Sequence, residues 1–568
     1  MYGVSEQGVG AWLVVHRFDG GAETRLAVEP PLRPARSLGG GSWAAAPDGS
    51  WVVYVAIDGD LWWQPIDGAP ARRLTQVGDG RGAMCPVVAP DGDAVVYVVD
   101  MEEVRCIRCS TGVDVRLDDA SADFVLDPWV DATTSTVQWT AWNVPAMPWD
   151  HGRVQCATLD GVLADVIEVP AAVQQPRTMP DGRSVCIRDD EGWLDLWIDG
   201  RPVLRDSVEH AGPTWGPGQC SYAVSPDGTR VAVTANEGGF GRLRVVDLRS
   251  GEQHDLGRGV HGQVSWAGDR IAALRTGART PTQVVVYDAV SSQRTVVSVG
   301  PVGEWTDDEL PEPELVELAS DDGAPLHARL FRAGGSDRLL VWLHGGPTDQ
   351  WQVTWMPRIA HWCSRGWNVL VPDHRGSTGH GRTYQQALQG RWGELDVADT
   401  LAVVRHAHAV GLGSPSSTVV MGGSAGGFTA LESIAADPAR FAAGVVLYPV
   451  TDLADLAERS HRFERHYTDG LVGPLPQTAE LHRERSPLHH VERYVSTPLL
   501  VLHGENDPVV PVDQSLSFVS RLAALGGIVE LKVYAGEGHG FRRREHQLDE
   551  YHRISRFLDG HVRIASQS

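Results

Sequence analysis

The 568-residue sequence contains no uninterrupted apolar stretch of the ~18 residues that a membrane-spanning helix needs. Its opening segment, MYGVSEQGVGAWLVVHRFDGG, has no basic stretch leading into an apolar core, so no signal peptide is read. Cysteine is sparse and odd in number: Cys85, Cys106, Cys109, Cys156, Cys186, Cys220 and Cys363. Reduced thiols and a cytoplasmic location are the simplest reading. Cys106 and Cys109 have the spacing of a redox or zinc pair. They lack a second such pair and sit in an alternating, strand-like run, so they read as structural. Positive charge is also short, with 49 Lys and Arg against 73 Asp and Glu, a formal net charge of −24. That balance argues against nucleic acid or an anionic membrane as partner, since both require basic surface. What remains is ordinary globular composition, 42% hydrophobic and 21% charged, in a chain long enough to bury a large core.

Residues 1–315 are rich in short alternating runs, tryptophan and turn residues. Pro-Asp-Gly recurs at 47–49, 90–92, 180–182 and 226–228. The intervals imply a repeat of ~45 residues, with one copy degraded near Asp131-Ala-Thr and a further copy near Trp266–Asp269. Proline presets the first turn dihedral and glycine accepts positive φ, so each copy closes a tight turn between strands. Four strands every ~45 residues is the signature of a β-propeller blade, and this segment holds about seven. The closing blade is expected to combine strands from both ends of the segment. Most blade residues are read as scaffold, the loops at one mouth being the exception.

From residue 316 to 568 compact apolar strands alternate with helical stretches, the pattern of a mostly parallel sheet covered on both faces. Thr418–Met421 runs into Gly422-Gly423-Ser424-Ala425-Gly426-Gly427 and then a helical segment. G-x-S-x-G between strand and helix is the nucleophile elbow of an α/β-hydrolase, a turn so sharp that its flanks tolerate almost no side chain. A serine nucleophile needs a base, and the base needs an orienting acid. Asp507 follows the apolar run Pro498–His503, and His539 lies between glycines after Val529–Tyr534. The order Ser, Asp, His is the one this fold uses. Glu505 and Asp513 are rivals to Asp507, and most of the other histidines read as surface residues. Two oxyanion donors are expected: the Ala425 amide, next to the nucleophile, and the Gly346 amide in His344-Gly345-Gly346-Pro347. Gly345 is the fallback, and Pro347 has no N–H.

A propeller followed by this hydrolase half resembles the prolyl oligopeptidase (S9) family of serine peptidases. The specific motifs are HGGP at 344–347, HRGSTGHG at 374–381, GGSAGG at 422–427, SPL at 486–488, HGENDPVVP at 503–511 and GEGHGF at 536–541. HGGP, in place of a tyrosine-containing loop, is similar to the acylaminoacyl-peptidase and bacterial dipeptidyl-peptidase branch. Met147-Pro148-Trp149-Asp150 and His461-Arg462-Phe463-Glu464 also resemble that branch, while His380 departs from it where relatives often carry tyrosine.

The resemblance implies hydrolysis of short peptides near their amino terminus, with no metal or cofactor. It implies a propeller acting as a lid, with substrate admitted through its central tunnel or a side opening. It points to an apolar pocket for the residue on the acyl side of the scissile bond (P1), with Phe428, Phe463 and Tyr467 as candidate walls. A free α-amine would need a carboxylate, for which Asp150, Glu209 and Glu464 are candidates, and Arg462 could hold a substrate carbonyl or carboxylate. An esterase or amidase for small acylated metabolites uses the same triad. A propeller interaction module with a vestigial hydrolase is disfavoured by the intact Ser, Asp, His and Gly positions. A homo-oligomer is left open.

Overall fold

A computed structural model describes the chain except residues 7–8, 35–39, 79, 133, 304, 306–309 and 563–568. The chain forms two compact units, Met1–Pro301 and Val302–Ser568. The division falls ahead of the 315/316 boundary read from the sequence, because strand Glu314–Ala319 pairs within the second unit's sheet.

The first unit contains seven antiparallel sheets in chain order, one three-stranded and six four-stranded, and is a seven-bladed propeller. The repeat's physical basis is the same in each copy. The amides of Gly49, Gly92, Gly182 and Gly228 donate to the carbonyls three residues earlier, at 2.9 Å in every case. These glycines take φ of 69–88°. The Asp48, Asp91, Asp181 and Asp227 carboxylates each accept the amide two residues on, at 2.9–3.2 Å. The degraded copy still makes a turn, with Asp131 donating to the Thr136 carbonyl at 2.8 Å. Its Thr133 lies outside the described residues. The copy at Trp266–Asp269 joins Val260–Ala267 to Arg270–Gly277.

The expected closing blade differs. The first sheet is built from Tyr2–Glu6, Gly10–Val15 and Thr24–Leu26, and no strand from the far end joins it among the described residues. Those three strands are already paired by local hairpins, and the next strand after Val299 belongs to the other unit.

Four leading strands, Ala83–Val88, Phe124–Val130, Val173–Thr178 and Val260–Ala267, each carry a register shift after the second or third paired residue. At the shift Cys85, Asp127, Gln175 and Gln263 take φ of 50–56°. A bulge turns an extra side chain out of the ladder, and here it reaches across to other blades. The Gly218 amide donates to Asp127 Oδ1 at 2.7 Å, and Gln263 Nε2 donates to the Gly218 carbonyl at 2.7 Å. A Cβ built on Gly218 would lie 2.1 Å from the Gly41 nitrogen, and one on Gly41 would lie 3.3 Å from Cys85 Sγ. Segments leading five of the blades thus meet at Gly218.

The second unit holds one eight-stranded sheet: β1 (Glu314–Ala319), β2 (Pro325–Phe331), β3 (Leu339–Leu343), β4 (Asn368–Asp373), β5 (Thr418–Gly423), β6 (Ala443–Leu447), β7 (Leu499–Gly504) and β8 (Val529–Tyr534). The spatial order is β1-β2-β4-β3-β5-β6-β7-β8, with β3 to β8 parallel. The principal helices are α1 (Pro357–Ser364), α2 (Leu395–Ala409), α3 (Ala425–Ala436), α4 (Leu453–Arg459), α5 (Tyr467–Leu471), α6 (Val512–Ala524) and α7 (Arg544–His561). Alternate residues of each strand face opposite sides. Leu339, Val341 and Leu343 pack with α2, α3 and α6, whereas Leu340 and Trp342 pack with α1 and α7. Both faces are covered, which is why the strands read as continuous apolar runs.

Candidate active site

β5 delivers Ser424 at a strained turn into α3, with φ 57° and ψ −127°. That conformation costs of order 1–3 kcal/mol for a non-glycine residue. The flanking glycines are required by close approach. A Cβ on Gly422 would lie 2.2 Å from the Gly426 carbonyl oxygen, and one on Gly426 would lie 2.5 Å from the Leu343 and His344 carbonyl oxygens. The Ser424 amide donates to the Leu447 carbonyl at 3.0 Å, which ties the turn to β6. Ala425 opens α3, where the first amides have no intrahelical acceptor.

Asp507 follows β7, and His539 follows β8. His539 Nδ1 lies 2.7 Å from Asp507 Oδ2. Asp507 Oδ1 accepts the Val509 and Val510 amides at 2.8 and 2.9 Å. Burial opposes ionisation of Asp507, but hydrogen bonds to His503 and His539, the imidazole charge and the Val510 amide hold it well below the usual carboxylate range. His503, fixed by Ser515 Oγ at 2.8 Å and the Val510 carbonyl at 2.9 Å, backs the acid. Glu505 instead accepts the Gly536 amide at 2.9 Å, and Asp513 pairs with Arg459 at 3.1 Å. Neither rival approaches His539 among the described contacts. Gly504 is needed because its Cβ would lie 2.2 Å from the Gly538 carbonyl oxygen, where β7 meets the His539 loop.

The loop after β3 lies against the elbow: a Cβ on Gly345 would lie 3.5 Å from Ser424 Cβ. Gly346 lines the same pocket as Ser424 and Ala425. His344 anchors this loop through Ser377 Oγ at 2.7 Å, and burial, reinforced by His374, pushes its imidazole down to about 4. Tyr467 Oη donates to Thr348 Oγ1 at 2.5 Å and accepts the Thr348 amide at 3.1 Å.

The candidate substrate residues separate. Tyr467 and Glu464 line the pocket beside Ser424. Glu464 pairs with His461 at 3.2 Å. Phe428 does not line it; one helical turn beyond Ser424, it is fully buried and packs on Trp392 with ring centroids 4.6 Å apart. Phe463 is buried outside the lining, and Arg462 is exposed. Asp150 and Glu209 belong to the first unit, where they accept the Met147 amide at 2.9 Å and the Leu194 amide at 2.7 Å. Trp149, beside Asp150, packs against Trp215 with ring centroids 4.5 Å apart and planes tilted by 47°.

Sequence reasoning missed Trp392, Ser460 and Thr468 in the pocket lining, along with Val509 and Val510. The two valines follow Asp507 directly, so the HGENDPVVP motif could have flagged them. It also missed Tyr448, whose ring lies 4.5 Å from that of His539 and 3.1 Å from where a Gly423 Cβ would stand. Its φ of 38° was a further signal available only from the backbone. Cys106 and Cys109 pack into two different apolar clusters, as a structural pair would. Among the described residues no group of three or more His, Cys, Asp or Glu could hold a metal ion, and no helix is long and apolar enough to cross a membrane.

A serine on a strained strand-to-helix turn, a histidine bonded to a buried carboxylate and a glycine loop beside the serine define a serine hydrolase on an α/β-hydrolase sheet. Residues 351–564 match the prolyl oligopeptidase family. The acylamino-acid-releasing enzyme of Arabidopsis thaliana is 29% identical over 241 residues, 41% of this chain and 31% of the relative. Dipeptidyl peptidase family member 6 of Caenorhabditis elegans is 30% identical over 227 residues, 39% of this chain and 30% of the relative. The chain thus spans about a third of the length of these curated relatives. A crystal structure of puromycin hydrolase is similar over 99% of this chain and 93% of its own, with TM-score 0.88 and 29% identity. A puromycin-hydrolyzing peptidase of Mycobacterium tuberculosis matches with TM-score 0.88 and 27% identity, over 98% and 92% of the two chains.

Proposed function

We propose that the chain is a serine exopeptidase that hydrolyses short peptides or aminoacyl amides near their amino terminus. Ser424 Oγ attacks the scissile carbonyl while His539 Nε2 takes its proton. Asp507 keeps the proton of His539 on Nδ1 and stabilises the imidazolium. The Ala425 and Gly346 amides receive the oxyanion, each donor being worth roughly 3 kcal/mol of barrier. The imidazolium then protonates the leaving amine as the C–N bond breaks. Water, activated by His539, hydrolyses the acyl-enzyme and restores Ser424. The observation that carries this reading is the 2.7 Å Asp507–His539 bond on the same sheet edge as the Ser424 elbow. The puromycin-hydrolysing neighbours, similar over nearly the whole chain, support an amide substrate. The first unit, Met1–Pro301, acts in this reading as the lid domain.

The test is a short peptide series identical except for a free or acetylated amino terminus, run beside puromycin and Ser424→Ala. Turnover is expected in the wild type, with kcat lowered at least ~10³-fold by Ser424→Ala. Cleavage of only free amino termini would mark an aminopeptidase or dipeptidyl peptidase and direct attention to Asp150, Glu209 and Glu464. Preference for the acetylated form would mark an acylaminoacyl peptidase. No cleavage of any member, together with no labelling of Ser424 by a fluorophosphonate, would overturn the reading.

A further inference from the structure

The pocket beside Ser424 has walls of Val450, Leu456, Val509 and Val510, yet it is not simply apolar. Trp392 Nε1, Ser460 Oγ and Thr468 Oγ1 also belong to its lining residues and have no hydrogen-bond partner among the described residues. All three residues are deeply buried, at 2%, 8% and 2% exposure. Buried polar side-chain atoms in folded proteins are almost always paired. Twelve such unpaired atoms occur among the described residues of the chain, and a quarter of them belong to residues that line this one small pocket. The three come from separate segments: the turn before α2, the residue ending α4, and α5. No single local distortion accounts for them.

We infer that this pocket selects a P1 side chain with a neutral hydrogen-bonding tip, a carboxamide above all. The inference rests on the peptidase reading given above. The indole N–H can only donate, whereas the two hydroxyls both donate and accept. A carboxamide answers this set: its oxygen accepts from Trp392, and its NH₂ donates to Ser460 or Thr468. The four aliphatic walls receive the methylene stem. A carboxylate tip could accept from all three groups but would face the Glu464 carboxylate in the same lining. An ammonium tip would gain Glu464 and leave the indole N–H without an acceptor. A hydrocarbon tip leaves all three groups buried and unpaired, and a site built to hydrogen-bond its substrate discriminates strongly against such an analogue.

The experiment compares kcat/KM for peptides with one leaving group and P1 asparagine, leucine, aspartate or lysine, asparagine and leucine being near-isosteric. The wild type is expected to favour asparagine over leucine by at least ~10-fold, and over the charged members as well. Thr468→Val, Ser460→Ala and Trp392→Phe each remove one polar atom with little change of shape. Each is expected to lower the asparagine-to-leucine ratio at least ~5-fold, a change that a general loss of folding does not produce because it affects both substrates equally. Thr468→Val and Ser460→Ala keep the test valid should Trp392→Phe fail to fold. A wild-type preference for leucine, or an asparagine preference that all three variants leave intact, overturns the inference while leaving the peptidase standing. Absence of turnover on every member and of fluorophosphonate labelling overturns instead the reading on which it rests.

Discussion

Replacing Asp507 by asparagine separates the role of its charge and tautomer control from its shape. The two ends of the carboxylate are not equivalent. Oδ1 accepts two backbone amides, from Val509 and Val510, while Oδ2 faces His539 Nδ1 at 2.7 Å. In the asparagine variant only one end accepts. Two backbone N–H groups outcompete one imidazole nitrogen for it, because a flipped amide would point its NH₂ at both donors. The NH₂ is therefore driven toward His539, where it donates to Nδ1. The imidazole proton must then sit on Nε2, the atom that should take the Ser424 proton. The expected loss is ~10⁴-fold in kcat, the size of a wrong-tautomer effect in a triad, or about 5.5 kcal/mol of barrier. KM for the best peptide should change far less, since no substrate contact is removed. The assay is steady-state hydrolysis, with the rate of fluorophosphonate labelling as a second readout, run beside Glu505→Gln and Asp513→Asn. A kcat for Asp507→Asn within tenfold of wild type, or an equal loss in either control, would refute the reasoning.

Two further outcomes follow from contacts at the edge of the site. Tyr467→Phe removes the hydroxyl that holds Thr348 through both its side chain and its amide; loosening the loop that carries Gly346 should lower kcat ~3- to 30-fold with the fold intact by circular dichroism, about 0.7–2 kcal/mol. Burial pushes Asp349 up to about 7. An acid raised in the folded state costs stability above its unfolded value near ~3.9, and the cost grows until pH passes the folded value. Asp349→Asn should therefore gain a few degrees of Tm over wild type between pH 5 and pH 8, measured by thermal denaturation, and no such gain would show that Asp349 does not titrate in this window.

The chemistry was legible where it is carried by contiguous residues. Gly422 and Gly426 announce the elbow because backbone contacts of 2.2–2.5 Å exclude any Cβ there. Asp507 and His539 were found because each lies in the loop that follows a strand, and the carboxyl ends of parallel strands converge on one side of the sheet. The propeller was legible because its turn is a three-residue motif with its own hydrogen bonds. The pocket was not. Trp392, Ser460 and Thr468 come from three segments with no shared signature, and only the fold brings them together. Phe428 is four residues from Ser424 in sequence, yet the helix turns it onto Trp392. The blade bulges escaped notice because the residue at the shift varies, cysteine, aspartate or glutamine, while the geometry repeats.

The meeting of blade segments at Gly218 bears on how a polypeptide could travel. A wheel with a hollow hub can act as a sieve, admitting chains by the width of its bore. Here segments from several blades meet at one crossing. Gly40 and Gly41 from one side of the ring touch Gly218 from another, closely enough that any Cβ at Gly218 would collide with backbone. Asp127 and Gln263 fasten that crossing from two more directions. Threading a chain past Gly218 would require this polar spoke-work to come apart.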